Sequence, residues 1–314
     1  MIRFFLFLPL LLVTIYAVYA LFKYTRLISR IFLSLVYRPA NEPMPGAVKG
    51  ERITILDSAD HEIQAVLVGH YDAKQIAVFC HESGSGKESW EKYAYFLPEL
   101  GWSVVSFDLQ APSAENEPAP LSQWPSEDQV AKLLTVIRWT KKAFRPDAVL
   151  VLFGISNGAD LALAAAAEEP TVRAVIADGL FSMKEIFRDY IRKWAPILVK
   201  PDFFRGNYPQ SVLDIFSGLS FWYSGRKSGK RFVDVERLLK ARHVPLFLIY
   251  GAEDDYVPAS HQRFLAELEG KGRVRQLVIP KAKHNQAVLV ARESYEKDII
   301  EFLKKYVRSK ADHD

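Results

Sequence analysis

The chain has 314 residues, 41 Lys and Arg against 37 Asp and Glu, and a formal net charge of +4. Its 49% hydrophobic and 25% charged content is globular usage, which excludes a disordered or collagen-like chain. One cysteine excludes a disulfide scaffold and a multi-cysteine metal site, and the slight basic balance is too weak to argue for nucleic acid.

Residues 4–22 carry no charge. At about 1.5 Å per residue, such a helix roughly matches a ~30 Å hydrocarbon core. Pro9 inside it is tolerated better in a membrane helix than in a soluble one, and Tyr16 and Tyr19 suit an interface. The run reads as an uncleaved transmembrane anchor. The alternatives are a signal peptide cut after Val18-Tyr19-Ala20 and a buried soluble helix. Lys23, Arg26, Arg30 and Arg38 follow, interleaved with Leu27, Ile28, Ile31, Phe32, Leu35 and Val36. This basic amphipathic stretch suits an anionic membrane surface. By the positive-inside rule, the rest of the chain is expected in the cytoplasm, an outward-facing domain being the alternative.

Residues 1–38 are thus expected as anchor and amphipathic stretch, and 39–50, rich in Pro and Gly, as a linker. Residues 52–56 and 63–68 alternate around a Ser58-Ala59-Asp60 turn and read as a hairpin. Short apolar runs follow at 76–80, 102–107, 148–153, 172–177, 246–250 and 275–279. They suit strands buried on both faces of a mainly parallel sheet. Helical patterns lie at 89–97, 127–144, 157–168, 233–241, 259–268 and 292–307. The class is therefore α/β, with eight strands, and ligands are expected beyond the strand carboxyl ends.

One such end reads Gly154-Ile155-Ser156-Asn157-Gly158, followed by an alanine-rich helical pattern. Strand, G-x-S-x-G and small-residue helix are the parts of a sharp turn that lifts a serine above a sheet. A nucleophilic serine needs a base, and the base an orienting acid. Strand 246–250 runs into Glu253, Asp254 and Asp255 followed by Val257-Pro258, and strand 275–279 into His284-Asn285. Asp178, ending strand 172–177, is a further candidate acid. Cys80 reads as a buried strand residue rather than a second nucleophile.

From about residue 50 to 308 the chain resembles an α/β-hydrolase, and more narrowly the small membrane-anchored serine hydrolases. The resemblance implies a mostly parallel eight-stranded sheet with helices on both faces and a helical cap, in a domain spanning 51–310 before a short tail, 311–314. The family's G-x-x-D-x-x-V-P pattern places the acid on Asp254, and its His-Asn pair places the base on His284. It implies Ser156 as nucleophile and the backbone N–H of Asn157 as one oxyanion donor. The second donor comes from the loop after strand 76–80, where families of this kind show His-Gly and this chain has His81-Glu82. Ser83 is the candidate, with Glu82 as rival. A carboxylate there would oppose the developing charge, so Glu82 is expected to point away, toward Lys87 or His81.

The connection between strands 172–177 and 246–250 is far longer than usual. Residues 183–232 read as a cap. They carry aromatics such as Phe187, Tyr190, Trp194, Phe203, Phe204, Tyr208 and Trp222, and the basic run Arg226-Lys227-Ser228-Gly229-Lys230-Arg231. The cap is either a self-packed subdomain or a lid over an acyl pocket.

The expected function is cleavage of carboxylic esters or thioesters with an apolar acyl part, through an acyl-serine intermediate. The expected partners are a small-molecule or lipid acyl substrate and the membrane. No cofactor, metal or nucleic acid is expected: neither a G-x-x-x-x-G-K-S/T loop nor H-E-x-x-H occurs. The alternatives are a non-catalytic membrane-tethered binding protein and a serine peptidase.

Overall fold

The structure is a computed structural model describing residues 2–34, 49–109, 124–198, 209–241, 243–257, 259–267 and 273–307. Most of the linker, the tail 311–314, and Phe203, Phe204 and Tyr208 lie outside these residues. The chain divides into two compact units. One joins Met1–Leu35 to Met183–Lys230, and the other holds Val36–Ser182 and Arg231–Asp314.

The larger unit begins with β1 (Glu51–Leu56), β2 (Glu62–Val68), β3 (Gln75–Cys80) and β4 (Ser103–Phe107). It continues with β5 (Val149–Ile155), β6 (Val172–Asp178), β7 (Leu246–Gly251) and β8 (Val274–Ile279). The eight strands lie in the order β1-β2-β4-β3-β5-β6-β7-β8. β2 pairs antiparallel with β1 and β4, and all other neighbours are parallel. The β1–β2 hairpin closes on Asp60, at φ 61, with Asp57 Oδ1 accepting the Ala59 and His61 N–H groups.

Successive side chains of each strand face opposite ways, so β3 sends Val78 to one core and Ala77 and Phe79 to the other. The first core is closed by α3 (Glu127–Ala143), α4 (Asn157–Glu168) and α7 (Val235–Ala241). The second is closed by α10 (Arg292–Val307) and by residues 90–97. Helices cover both faces, as parallel strands require.

The helical pattern at 89–97 yields only the one-turn α2 (Trp90–Tyr93) between two 3₁₀ turns. Pro98 has no N–H for the Ala94 carbonyl, which takes the Leu97 N–H at 3.0 Å instead. The helix expected at 259–268 is α8 (Ala259–Ala266), and a short α9 (Ala287–Val290) follows His284.

Among the described residues, the smaller unit has three helices: α1 (Ile2–Ser34), α5 (Met183–Leu198) and α6 (Gln210–Ser228). Residues 7–34 are long and apolar enough to cross a membrane, with mean hydropathy 1.7, and their apolar window is not buried in the protein. The far end of α1 packs on the inserted helices. Thr25, Ser29 and Phe32, spaced by four and three, are buried together. Ser29 Oγ donates to the Ser220 carbonyl at 3.2 Å, and Ser217, Ser220 and Ser224 of α6 are fully buried. Serines at this spacing let helix backbones approach closely, as membrane helices do. Gly229, left-handed at φ 68, ends α6.

Candidate active site

Ser156 sits between β5 and α4 with φ 53 and ψ −118. That left-handed geometry costs a non-glycine residue on the order of 1–3 kcal/mol. The flanking glycines explain why the turn is so tight. A Cβ on Gly154 would lie 2.2 Å from the Gly158 carbonyl oxygen, and one on Gly158 would lie 2.1 Å from the Cys80 carbonyl oxygen. The second approach presses the start of α4 against the end of β3. The Ser156 N–H donates to the Asp178 carbonyl at 2.7 Å, fixing the turn to β6 as well.

The turn after β8 brings up His284, flanked by left-handed Lys281 (φ 63) and Asn285 (φ 58). Its Nε2 lies 2.9 Å from Ser156 Oγ, and its Nδ1 lies 2.7 Å from Asp254 Oδ2. Asp254 follows β7. Its Oδ1 accepts the N–H groups of Tyr256 (2.9 Å) and Val257 (2.8 Å), so the backbone of these two residues clamps the carboxylate from behind. With Oδ1 taken by two backbone N–H groups, Oδ2 is left to accept the imidazole Nδ1–H. Nε2 is then the acceptor for the serine hydroxyl. The His284 and Asp254 side chains are 2% and 1% exposed, so their bond is shielded from water. The Tyr256 ring lies against the imidazole at 4.7 Å.

Of the competing acids, Asp178 is buried and bonded elsewhere: Tyr295 of α10 donates its hydroxyl to Asp178 Oδ2 at 3.0 Å. Burial pushes the Asp178 carboxyl up to about 7, with the Tyr295 hydrogen bond opposing. Its folded-state value lies above the ordinary 3.8, so the native state must keep a proton that the unfolded chain releases above that pH. Stability from this group is undiminished at low pH and falls as pH rises toward 7. Asp178→Asn is accordingly expected to raise the unfolding temperature at pH 8 and leave it unchanged at pH 4. Thermal unfolding across that range checks it.

The loop after β3 holds His81, Glu82 and Ser83, all buried. The Leu109 N–H donates to His81 Nε2 at 3.0 Å, so His81 carries its proton on Nδ1 and donates it to the Glu82 carbonyl at 2.7 Å. The expectation for the Glu82 carboxylate needs correction. Lys87 pairs with Asp108 at 2.8 Å, and Glu82 instead accepts from Ser89 Oγ at 2.7 Å, with Tyr93 Oη 3.4 Å away. Tyr93 Oη is also 3.3 Å from the Asn285 carbonyl, so one phenol touches the loops of Ser83 and His284. Asn157 begins α4, where backbone N–H groups point outward along the helix axis.

Asp160 was not singled out by sequence reasoning. It is fully buried in α4, its Oδ1 accepts the Phe181 N–H at 3.1 Å, and burial pushes its carboxyl well above the ordinary range. The signal is an acid in the first turn of a helix that continues with only Leu and Ala to Ala167. Cys80 is buried, and burial pushes its thiol far up, as suits an inert strand residue. Among the described residues, no cluster of three metal-binding side chains occurs.

No protein-family model matches the chain, and no curated protein matches it in sequence. Solved structures do. An esterase from Pyrococcus furiosus aligns at TM-score 0.59 and 19% identity, over 87% of this chain and 99% of that one. A dienelactone hydrolase from Anabaena variabilis aligns at 0.54 and 21% identity, over 83% and 99%. An esterase from Exiguobacterium antarcticum aligns at 0.54 and 18% identity, over 80% and 98%. At these identities the likeness is one of architecture, and with the strand order and site geometry above, the chain has the α/β-hydrolase fold.

Proposed function

We propose that the protein is a membrane-anchored serine hydrolase that cleaves carboxylic esters or thioesters with an apolar acyl part. The observation that carries the reading is the hydrogen-bonded line Ser156–His284–Asp254, with spacings of 2.9 and 2.7 Å. As Ser156 Oγ attacks the acyl carbon, its proton passes to His284 Nε2. Asp254 stabilises the imidazolium that forms. The backbone N–H groups of Asn157 and Ser83 hold the oxyanion. Collapse of the tetrahedral intermediate expels the alcohol or thiol, which takes the proton from His284. Water, deprotonated by the same nitrogen, then attacks the acyl-Ser156 and releases the acid.

The esterase and hydrolase structural neighbours support an ester substrate. The apolar window of α1 supports anchoring, and the basic residues after it support a cytoplasmic hydrolase domain. A fluorophosphonate probe is expected to label the wild-type protein at Ser156 and abolish turnover of p-nitrophenyl esters. Labelling at another residue, or full turnover after labelling, would overturn the assignment.

A further inference from the structure

Helix α1 is 33 residues long, roughly 50 Å at the usual rise, against a hydrocarbon core of about 30 Å. Its uncharged part ends at Phe22, and Lys23, Arg26 and Arg30 stand on the remainder. That overhang does not run free. With α5 and α6 it forms an apolar groove of about 80 Å³ that opens to the surface. Ile28, Ile31 and Phe32 of α1 face Phe187 and Ile191 of α5 and Phe216 of α6 across it, and among the described residues no charged side chain lines it. The Phe32 and Phe187 rings meet at 3.9 Å at one wall.

The geometry points to this groove as a binding site for the hydrocarbon tail of a membrane lipid, lodged between the anchor's overhang and the inserted helices. The inference rests on the membrane-anchored reading but is independent of the hydrolytic one. Three observations select the occupant. The lining is apolar, so water gains few hydrogen bonds there. The groove shares its helix with the membrane-spanning run, so a lipid reaches it without crossing bulk water. Lys23, Arg26 and Arg30 are exposed along the same stretch, at the level where anionic headgroups gather. A soluble metabolite would meet none of these conditions.

The test uses the full chain reconstituted in phosphatidylcholine–phosphatidylglycerol liposomes carrying a diazirine-labelled palmitoyl phosphatidylglycerol. Flotation comes first; a protein that stays at the bottom of the gradient overturns the anchor and this site together. In the floating protein, photolysis should place adducts on residues 24–32 and 183–198 that saturate with probe fraction. Adducts on residues 7–22 should rise linearly, as bulk lipid contact does. Filling the groove with Ile28→Trp or Ile31→Trp should reduce the saturable adducts at least fivefold and leave p-nitrophenyl acetate turnover unchanged. Linear adduct growth at all positions, or protein–protein cross-links through residues 24–32 in place of lipid adducts, would overturn the site while the anchor stands. Saturation is read on the wild-type protein, so the result holds even where a tryptophan variant misfolds.

Discussion

Replacing Ser156 by alanine is expected to lower ester kcat/KM by on the order of 10⁵–10⁶-fold and to remove fluorophosphonate labelling. Only Oγ is lost, and the backbone turn that holds it is fixed by other atoms: the Asp178 carbonyl on its N–H and the glycine contacts on either side. His284→Ala should cost about as much, and Asp254→Asn roughly 10⁴-fold, because the three groups act as one unit. The double variant Ser156→Ala, His284→Ala should therefore be little worse than either single one. A further variant separates chemistry from folding. At φ 53, serine carries strain that glycine does not. Ser156→Gly should be as inactive as the alanine variant yet more stable than the wild type, by about 1 kcal/mol. Ester kinetics and thermal unfolding, read side by side, check both halves. An alanine variant with even a hundredth of wild-type turnover would sink the nucleophile assignment.

Outside Ser156, His284 and Asp254, Gly158→Ala is expected to have the largest effect, although residue 158 supplies no reacting atom. The new Cβ would sit 2.1 Å from the Cys80 carbonyl oxygen and 2.7 Å from that of His81. Both are backbone atoms, so no side chain can swing away. Either the first turn of α4 or the end of β3 must move, at a cost of about 1–3 kcal/mol or more. The moving parts carry Asn157 on one side and the loop to Ser83 on the other. Misplacement by about 1 Å can cost roughly 10²-fold in turnover. The expected result is a kcat/KM at least 10²-fold lower, with a lowered unfolding temperature and with KM changed less than kcat. Wild-type kinetics in this variant would show that the β3–α4 contact does not set the geometry.

Much of this site could be read along the chain because its parts are local. The G-x-S-x-G turn, the acidic cluster after one strand and the His-Asn pair after another each lie within a few residues. The apolar runs mark the strands because the inner ones are buried on both faces, as β4 is along its length, whereas the edge strand β8 is partly exposed. What escaped depends on residues distant in sequence. Glu82 finds Ser89 and Tyr93, whereas charge alone suggested Lys87, which Asp108 holds. Asp178 finds Tyr295, 117 residues away. The anchor read as a tether followed by a linker, because nothing local reveals that Ser29 fits against Ser220. Serine on a helix reads as a solvated position until a second helix is known to cover it.

That serine-lined contact has a consequence for synthesis. Helix α1 is made first, whereas its partners α5 and α6 follow only after residues 35–182. At about 5–20 residues per second, the ribosome takes on the order of ten seconds or more to reach them. For that interval Thr25, Ser29 and Phe32 have no helix to cover them, and six strands are made before the first partner helix emerges. The three-helix unit therefore closes late, by capture of the nascent α5–α6 pair onto a waiting α1. Chains stalled or truncated before residue 183 would present α1 without its partners, with its polar stripe open to other helices and to quality-control proteases.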